Sequence, residues 1–245
     1  MRIVGGLYKR RRFDVPKSFN ARPTTDFAKE NLFNVLQHYL DFEETTVLDL
    51  FSGTGSIAAE LVSRGCRSVI AVEQRREHAL FIRSVAKTLG EEKRLKVLQS
   101  DVFRYLATAG KGALPSFDFI FADPPYKIKE LGQLPRMILD AGLLKPDGLL
   151  VVEHPGTYDF SMLPEFVSHR EYGSVNFSFF SFPSEETVES LEEPSEEKIY
   201  AIFQSISPEK KYLLIEEKKS SFAGFTQEKV AYIDLDEEKY DNKAK

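Results

Sequence analysis

From about residue 45 the chain alternates short apolar runs with segments whose apolar residues recur at helical spacing. TTVLDLF (45–51) reads as a strand, and the segment from Gly55 to Ser63 as a helix that starts in a glycine turn. SVIAVE (68–73) is a second strand, followed by an amphipathic helix from Arg75 to Leu89. LKVLQSD (95–101) and FDFIFAD (117–123) are two more strands, the first trailed by a short helix near 102–109 and the second by a helical stretch over 130–142. GLLVVEH (148–154) is a fifth strand, introduced by the turn Lys145-Pro146-Asp147-Gly148. Apolar strands alternating with helices predict a parallel sheet covered on both faces.

The rhythm differs on either side of this stretch. Phe166 to Tyr172 and Val175 to Phe182 are two strands separated by little more than Gly173-Ser174, a hairpin spacing that closes the sheet with an antiparallel pair. Upstream, Asp26 to Tyr39 is helical in pattern, with Thr25 or Asp26 as its cap. Residues 1–24 are basic and turn-rich and suit a small hairpin or arm. Residues 184–197 are acidic and polar, a solvated linker by composition. Apolar character returns over 198–235 in IYAIF, YLLIEE and KVAYIDL, before a charged tail. The expected organisation is an arm over 1–24, an α/β domain over 25–183, a linker over 184–197 and a C-terminal extension of unassigned role over 198–245.

Composition narrows the chemistry. A chain of 245 residues with 42% hydrophobic and 29% charged residues can bury an ordinary core. With one cysteine, Cys66, it forms no internal disulfide and no cysteine metal cluster, and its four histidines are not paired at ligand spacing, so no metal is expected. The opening MRIVGGLYKRRRF has no apolar signal stretch and no run reaches membrane-span length, so a cytoplasmic, membrane-free protein is expected, as a monomer.

The net charge of −5 hides an asymmetry. Residues 184–245 carry 16 acids and 9 bases, the other 183 residues 22 acids and 24 bases. The first 30 residues hold eight bases against three acids, including the run Arg10-Arg11-Arg12. Clustered Arg suits a phosphate backbone, although a solvated basic arm has the same composition.

The candidate chemistry lies at the strand ends. In an open parallel sheet, ligands bind beyond the carboxyl ends of the strands. The first strand runs into DLFSGTGSIA, Asp49 to Ala58, where Gly53 and Gly55 allow close backbone approach and a helix begins. Gly53-x-Gly55-x-x-Ala58, with Glu73 about 20 residues on, also fits the dinucleotide fingerprint. Asp49 argues against that reading, because a carboxylate there repels a pyrophosphate and attracts an ammonium or sulfonium group. Glu73 ends the second strand, where it can accept both hydroxyls of a ribose. Asp101 ends the third, where it can accept from an adenine amine, with Val102 supplying backbone contact; it can also cap the helix that follows. The fourth strand ends in FADPPYK, whose Pro124 and Pro125 stop ladder pairing and stiffen a ledge carrying Asp123 and Tyr126.

Asp49-x-Phe51-Ser52-Gly53-x-Gly55, Glu73, Asp101 and Asp123-Pro124-Pro125-Tyr126, in this order, resemble the motifs of class I S-adenosylmethionine-dependent methyltransferases. Arg2-Ile3-Val4-Gly5-Gly6, Arg22-Pro23-Thr24-Thr25-Asp26 and Glu30-x-Leu32-Phe33-Asn34 are more specific and resemble the RsmD-type small-subunit (16S) rRNA guanine-N2 methyltransferases. The resemblance covers roughly residues 1–182. It implies a Rossmann-like, mostly parallel seven-stranded sheet with an antiparallel last strand, preceded by a basic hairpin. It implies methyl transfer from S-adenosylmethionine to the exocyclic amine of one guanine, in an assembled or assembling small ribosomal subunit.

On that reading Asp49, Phe51, Gly53, Gly55, Glu73, Asp101, Val102 and Asp123 hold the cofactor. Asp123 and the carbonyl of Pro124 accept the amine protons, and Tyr126 stacks on the base. Arg10, Arg11, Arg12, Arg22 and Thr24 are the candidates for RNA contact, and Thr24 and Asp26 for shaping the pocket entrance. Glu153 and His154, ending the fifth strand, are weighted toward structural roles. The competing readings are methylation of DNA adenine or a protein amide through the same pocket, an NAD-dependent oxidoreductase, and an RNA-binding module without turnover.

Overall fold

Five strands pair in parallel, the central ones apolar and covered on both faces by helices, while the edge strand over 95–99 leaves Lys96, Leu98 and Gln99 exposed. In the computed structural model, residues 1–19, 25–109 and 115–182 are described in full, together with the backbone of 212–220 and 226–234. The strands are β1 (Thr46–Leu50), β2 (Ser68–Glu73), β3 (Leu95–Gln99), β4 (Phe117–Ala122), β5 (Leu144–His154), β6 (Phe166–Tyr172) and β7 (Val175–Ser181). They form one seven-stranded sheet in the order β3-β2-β1-β4-β5-β7-β6, with β7 antiparallel to both of its neighbours. Strand order reverses between β1 and β4, so the crevice above their carboxyl ends is the expected ligand position.

The helices are α1 (Asp26–Leu36), α2 (Ser56–Ser63), α3 (Arg76–Leu89), α4 (Val102–Ala109) and α5 (Leu134–Asp140). Side chains alternate across a strand, and this decides which β1 residues reach the core and which reach the crevice. Leu48 and Leu50 join Ile120, Ala122, Leu150 and Val152 in a cluster with α4 and α5. Asp49, between them, therefore points to the opposite face.

Several elements end short of their sequence pattern. The first helix stops at Leu36 rather than Tyr39, and Thr25 caps it, its Oγ1 accepting the Ala28 N–H at 3.2 Å. Asp26 is not the cap; it pairs with Arg2 at 2.8 Å. The stretch expected to be helical over 130–142 is a 3₁₀ turn at Leu131–Gln133 followed by the shorter α5, with Pro135 in its first turn. The Lys145–Gly148 segment does not precede β5 but lies inside it. Phe117 pairs with Leu144 and Phe119 with Leu149, so the intervening residues bulge out of the ladder, with Asp147 at φ 59°.

The N-terminal residues form a small hairpin, with Arg2 bridged to Arg12 and backbone bonds between Ile3 and both Arg10 and Arg11. The hairpin is fastened to the carboxyl end of α2. Leu7 N–H donates to the Ser63 carbonyl at 2.6 Å, and Val4 N–H to Glu60 Oε2 at 2.8 Å. Gly6 has φ +70°, and a Cβ there would lie 1.9 Å from the Ser63 carbonyl oxygen, so the second glycine of RIVGG is required by packing. This motif attaches the hairpin to the sheet domain.

The chain divides into two units, Met1–Phe182 and Pro183–Lys245. In the second, β8 (Tyr212–Ser220) pairs antiparallel with β9 (Thr226–Asp234), containing two of the three C-terminal strands expected. The third, IYAIF, the acidic linker and the charged tail lie outside the described residues. Among the described residues no helix is long and apolar enough to cross a membrane, and no group of three or more His, Cys, Asp or Glu is placed to hold a metal.

Candidate active site

The turn after β1 carries the most unusual backbone of the domain. Phe51 has φ 58°, Gly53 φ 55° and Gly55 φ 70°, so the chain turns left three times within five residues. For Phe51 this conformation is strained, and such strain concentrates at functional sites. The loop is held by three bonds. Ser52 N–H reaches the Val72 carbonyl at 3.1 Å, Gly55 N–H the Ser52 carbonyl at 2.7 Å, and Ser52 Oγ the Asp49 carbonyl at 2.7 Å. A side chain at Gly55 would meet Ile82 of α3 at 2.8 Å, whereas one at Gly53 would meet only the Phe51 carbonyl, at 3.8 Å. Gly55 is therefore a packing glycine, and the space above Gly53 is open to the crevice.

Glu73 clamps this loop from the end of β2. Its Oε2 accepts the Gly53 N–H at 2.9 Å and its Oε1 the Arg75 N–H at 2.7 Å. A carboxylate oxygen accepts more than one bond, so both oxygens retain capacity for hydroxyls. Asp101 caps α4, its Oδ1 accepting the Arg104 N–H at 3.0 Å, while also facing the crevice. The cap and pocket readings of this residue thus coexist.

Asp49 is 1% exposed, and among the described residues its Oδ2 has no hydrogen-bond partner. Burial is the main cause that pushes its carboxyl from 3.8 up to about 7, with the nearby Glu73 charge adding to the rise. A buried carboxyl with one oxygen unpartnered and an acid beside it suits a cation.

The end of β4 faces this loop across the crevice. Asp123 N–H reaches back to the Leu50 carbonyl at 3.4 Å, placing the DPPY ledge directly beside β1. Tyr126 is braced by its hydroxyl, which donates to Glu153 Oε1 at 3.0 Å. Glu153, at the end of β5, therefore lines the site and holds the aromatic ring, a role its sequence position did not reveal. His154 is structural as expected: it is buried, with Nδ1 3.0 Å from the Pro155 carbonyl oxygen and Nε2 2.8 Å from Ser178 Oγ. Cys66 is buried, and desolvation pushes its thiol up to about 12.

Asp49, Phe51, Gly53, Glu73, Asp101, Val102, Asp123, Pro124 and Tyr126 all line one cleft of about 510 Å³. Gly55 stands just behind its wall. Thr25, Arg75 and His78 also line this cleft and were not singled out for it from sequence. His78 is buried, with Phe19 of the N-terminal segment stacked on its ring at 3.9 Å. Arg10, Arg11 and Arg12 are exposed on the hairpin, away from the lining. Arg22 and Thr24 lie outside the described residues.

Residues 1–181 match the family model described as conserved hypothetical protein 95. The chain belongs to this family, the RsmD-type S-adenosylmethionine-dependent methyltransferases. It is 36% identical over 167 residues to YlbH of Bacillus subtilis, spanning 68% of this chain and 88% of that protein. It is 30% identical over 172 residues to the ribosomal RNA small subunit methyltransferase D of Escherichia coli K12, spanning 70% and 83%. The solved structure of a hypothetical protein from Thermus thermophilus superposes with a TM-score of 0.64 at 27% identity, over 74% of this chain and 99% of that one. All three coverages are consistent with the seven-stranded unit. The residues of the cleft fit the methyl donor of the family, since the open space over Gly53 and the unpartnered Oδ2 of Asp49 suit a ligand that carries positive charge.

The buried carboxylate has a consequence for pH. The folded-state carboxyl of Asp49 lies above its unfolded value, so the empty protein takes up a proton on folding between pH 4 and 7. This contribution to stability is full below about pH 4 and is lost as pH rises toward 7. A cationic ligand requires the ionised form, so protons compete with it. Calorimetric affinity for S-adenosylhomocysteine, which keeps the ammonium group, is expected to weaken by up to about tenfold per pH unit below pH 7. Asp49→Asn flattens that profile. A flat profile in the unaltered protein contradicts this assignment.

Proposed function

We propose that this protein methylates the exocyclic N2 amine of a guanine in small-subunit (16S) rRNA, acting on an assembled or assembling ribosomal subunit. The observation that carries the proposal is the ledge Asp123–Tyr126, braced on Glu153 and set across one cleft from the glycine loop and Asp49. The name of the Escherichia coli relative supports the choice of RNA. S-adenosylmethionine supplies an electrophilic methyl group. Asp49 is assigned its positive charge, Glu73 its ribose hydroxyls, and Asp101 with Val102 its adenine.

The remaining chemistry belongs to the chain. An aromatic amine is a weak nucleophile because its lone pair is delocalised into the ring. Asp123 and the Pro124 carbonyl accept the two amine N–H bonds, which favours a pyramidal nitrogen with its lone pair directed into the cleft. These acceptors are fixed before the substrate arrives, so little reorganisation opposes the reaction. The Tyr126 ring stacks on the base while its hydroxyl stays on Glu153. The guanine must leave its stack to reach this ledge, which favours a target in a loop or bulge. Asp123 is also the nearest assigned base for the proton that the methylated amine releases. The exposed Arg10, Arg11 and Arg12 hold phosphates outside the cleft.

The test is transfer of tritiated methyl from S-adenosylmethionine to small ribosomal subunits that lack the modification, with bare rRNA, DNA and protein in parallel. Label that digests to N2-methylguanosine is the expected result. Label confined to DNA adenine or to a protein amide refutes the substrate while keeping the methyltransferase.

A further inference from the structure

Phe27 is an exposed aromatic residue that the chemistry above does not use. It is 64% exposed in the first turn of α1, a position where helices favour polar residues. Among the described residues, the other exposed large apolar side chains, Leu7, Leu80, Leu98 and Met162, belong to the hairpin, α3, the edge strand β3 and a loop, whereas Phe27 follows the cleft-lining Thr25 by two residues. Its ring packs edge-on against Tyr172 at 6.5 Å. Tyr172 pairs in register with Val175, which also lines the cleft, so both rings sit on its rim.

The rim is braced from within. Tyr172 packs on the buried Phe177 at 6.1 Å, and Phe177 on the buried Phe121 at 6.3 Å. Phe121 lines the cleft two residues before Asp123. A ladder of four rings thus connects the exposed Phe27 to the strand that carries the catalytic ledge. A rigidly supported aromatic face loses little conformational freedom when a planar group stacks on it. Lys127 lines the same cleft and Arg170 is exposed on the strand that carries Tyr172, so the cleft lining and that strand each contribute a cation. Aromatic platforms flanked by cations suit single-stranded nucleic acid, with bases on the rings and phosphates on the charges. An isolated exposed ring is also too small for a protein-docking patch of several hundred Å².

We propose that Phe27, braced by Tyr172, is a stacking platform for an unpaired base adjacent in the RNA to the one methylated. It positions the substrate strand and does not touch the reacting amine. This inference rests on the RNA reading above. Its test compares the unaltered protein with Phe27→Leu and Phe27→Trp in steady-state methyl transfer to small subunits that lack the modification. Phe27→Leu keeps an apolar side chain but loses the stacking face, and is expected to raise KM for the subunit by about 5- to 30-fold. Its kcat, melting temperature and affinity for S-adenosylhomocysteine stay at the unaltered values, and Phe27→Trp restores KM. An unchanged KM in Phe27→Leu overturns the platform while leaving the RNA substrate intact. Absence of transfer by the unaltered protein overturns the substrate reading first, and the platform with it. A photo-crosslinking phenylalanine analogue at position 27 gives an independent readout. Crosslinks to rRNA support the proposal, and crosslinks confined to ribosomal protein overturn it.

Discussion

Asp123→Ala is expected to lower kcat for methyl transfer by about 10²–10³-fold, the loss typical when a preorganised partner of the reacting group is removed. The side chain stands where β4 leaves the sheet, held beside β1 by the bond from its own N–H to Leu50. Its replacement therefore removes the acceptor without removing the ledge, because Pro124, Pro125 and the Tyr126–Glu153 bond remain. Asp123→Asn separates two contributions. The amide keeps one oxygen acceptor for an amine N–H but cannot take up the released proton. If positioning dominates, the Asn variant retains much more activity than the Ala variant. If proton removal by this carboxylate dominates, the two variants fall together. Rapid-quench measurement of a single turnover reads the chemical step directly, and full activity in Asp123→Ala contradicts the assignment of this residue.

Glu60→Ala has the largest expected effect on stability, about 3–5 kcal/mol, because it strands a buried cation. Glu60 is 0% exposed and Lys29 1%, with Lys29 Nζ 3.8 Å from Glu60 Oε2. The same carboxylate accepts the Val4 N–H at 2.8 Å and the Arg64 Nε–H at 3.1 Å. It thus joins α1, α2 and the N-terminal hairpin at one point. Burial already holds the Lys29 ammonium below its ordinary value, and loss of Glu60 leaves that cost offset only in part, by the Arg2 carbonyl, Ser56 Oγ and the Asp26 charge. Urea unfolding of the Met1–Phe182 unit within the full chain measures the effect, with the transition followed by tyrosine fluorescence. Replacing both partners by apolar residues, Glu60→Leu with Lys29→Met, is expected to recover part of the loss. A Glu60→Ala midpoint equal to that of the unaltered protein contradicts the pairing.

Glu60 and Glu153 show where reading along the chain stops. Both are acids in apolar surroundings; Glu60 has a local partner in Arg64, one helical turn on, but the contacts that set the task of each acid come from distant residues. Glu60 is set by Val4, 56 residues away, and Glu153 by Tyr126, 27 residues away. His78 was likewise invisible, since its place on the cleft wall depends on where α3 meets the glycine loop. Local sequence leaves Thr25 and Asp26 both able to cap α1; Thr25 is the cap, and Asp26, in the first helical turn, pairs with Arg2, a residue distant in sequence.

By itself the sequence determined the strand–helix alternation, the antiparallel closing hairpin and the strand-end positions of Asp49, Glu73, Asp101 and Asp123. Those features are encoded locally, in side-chain period, glycine turns and proline stops, and local signals survive without knowledge of distant contacts. Tertiary structure alone decided that the RIVGG segment is a fastening on α2, that the KPDG turn bulges within β5, and that Glu153 braces the tyrosine of the ledge. It also decided that Asp49 is buried without a hydrogen-bond partner for its Oδ2, and so poised near neutral pH. Each of these depends on desolvation or on partners brought together by packing, and neither quantity exists until the chain has folded.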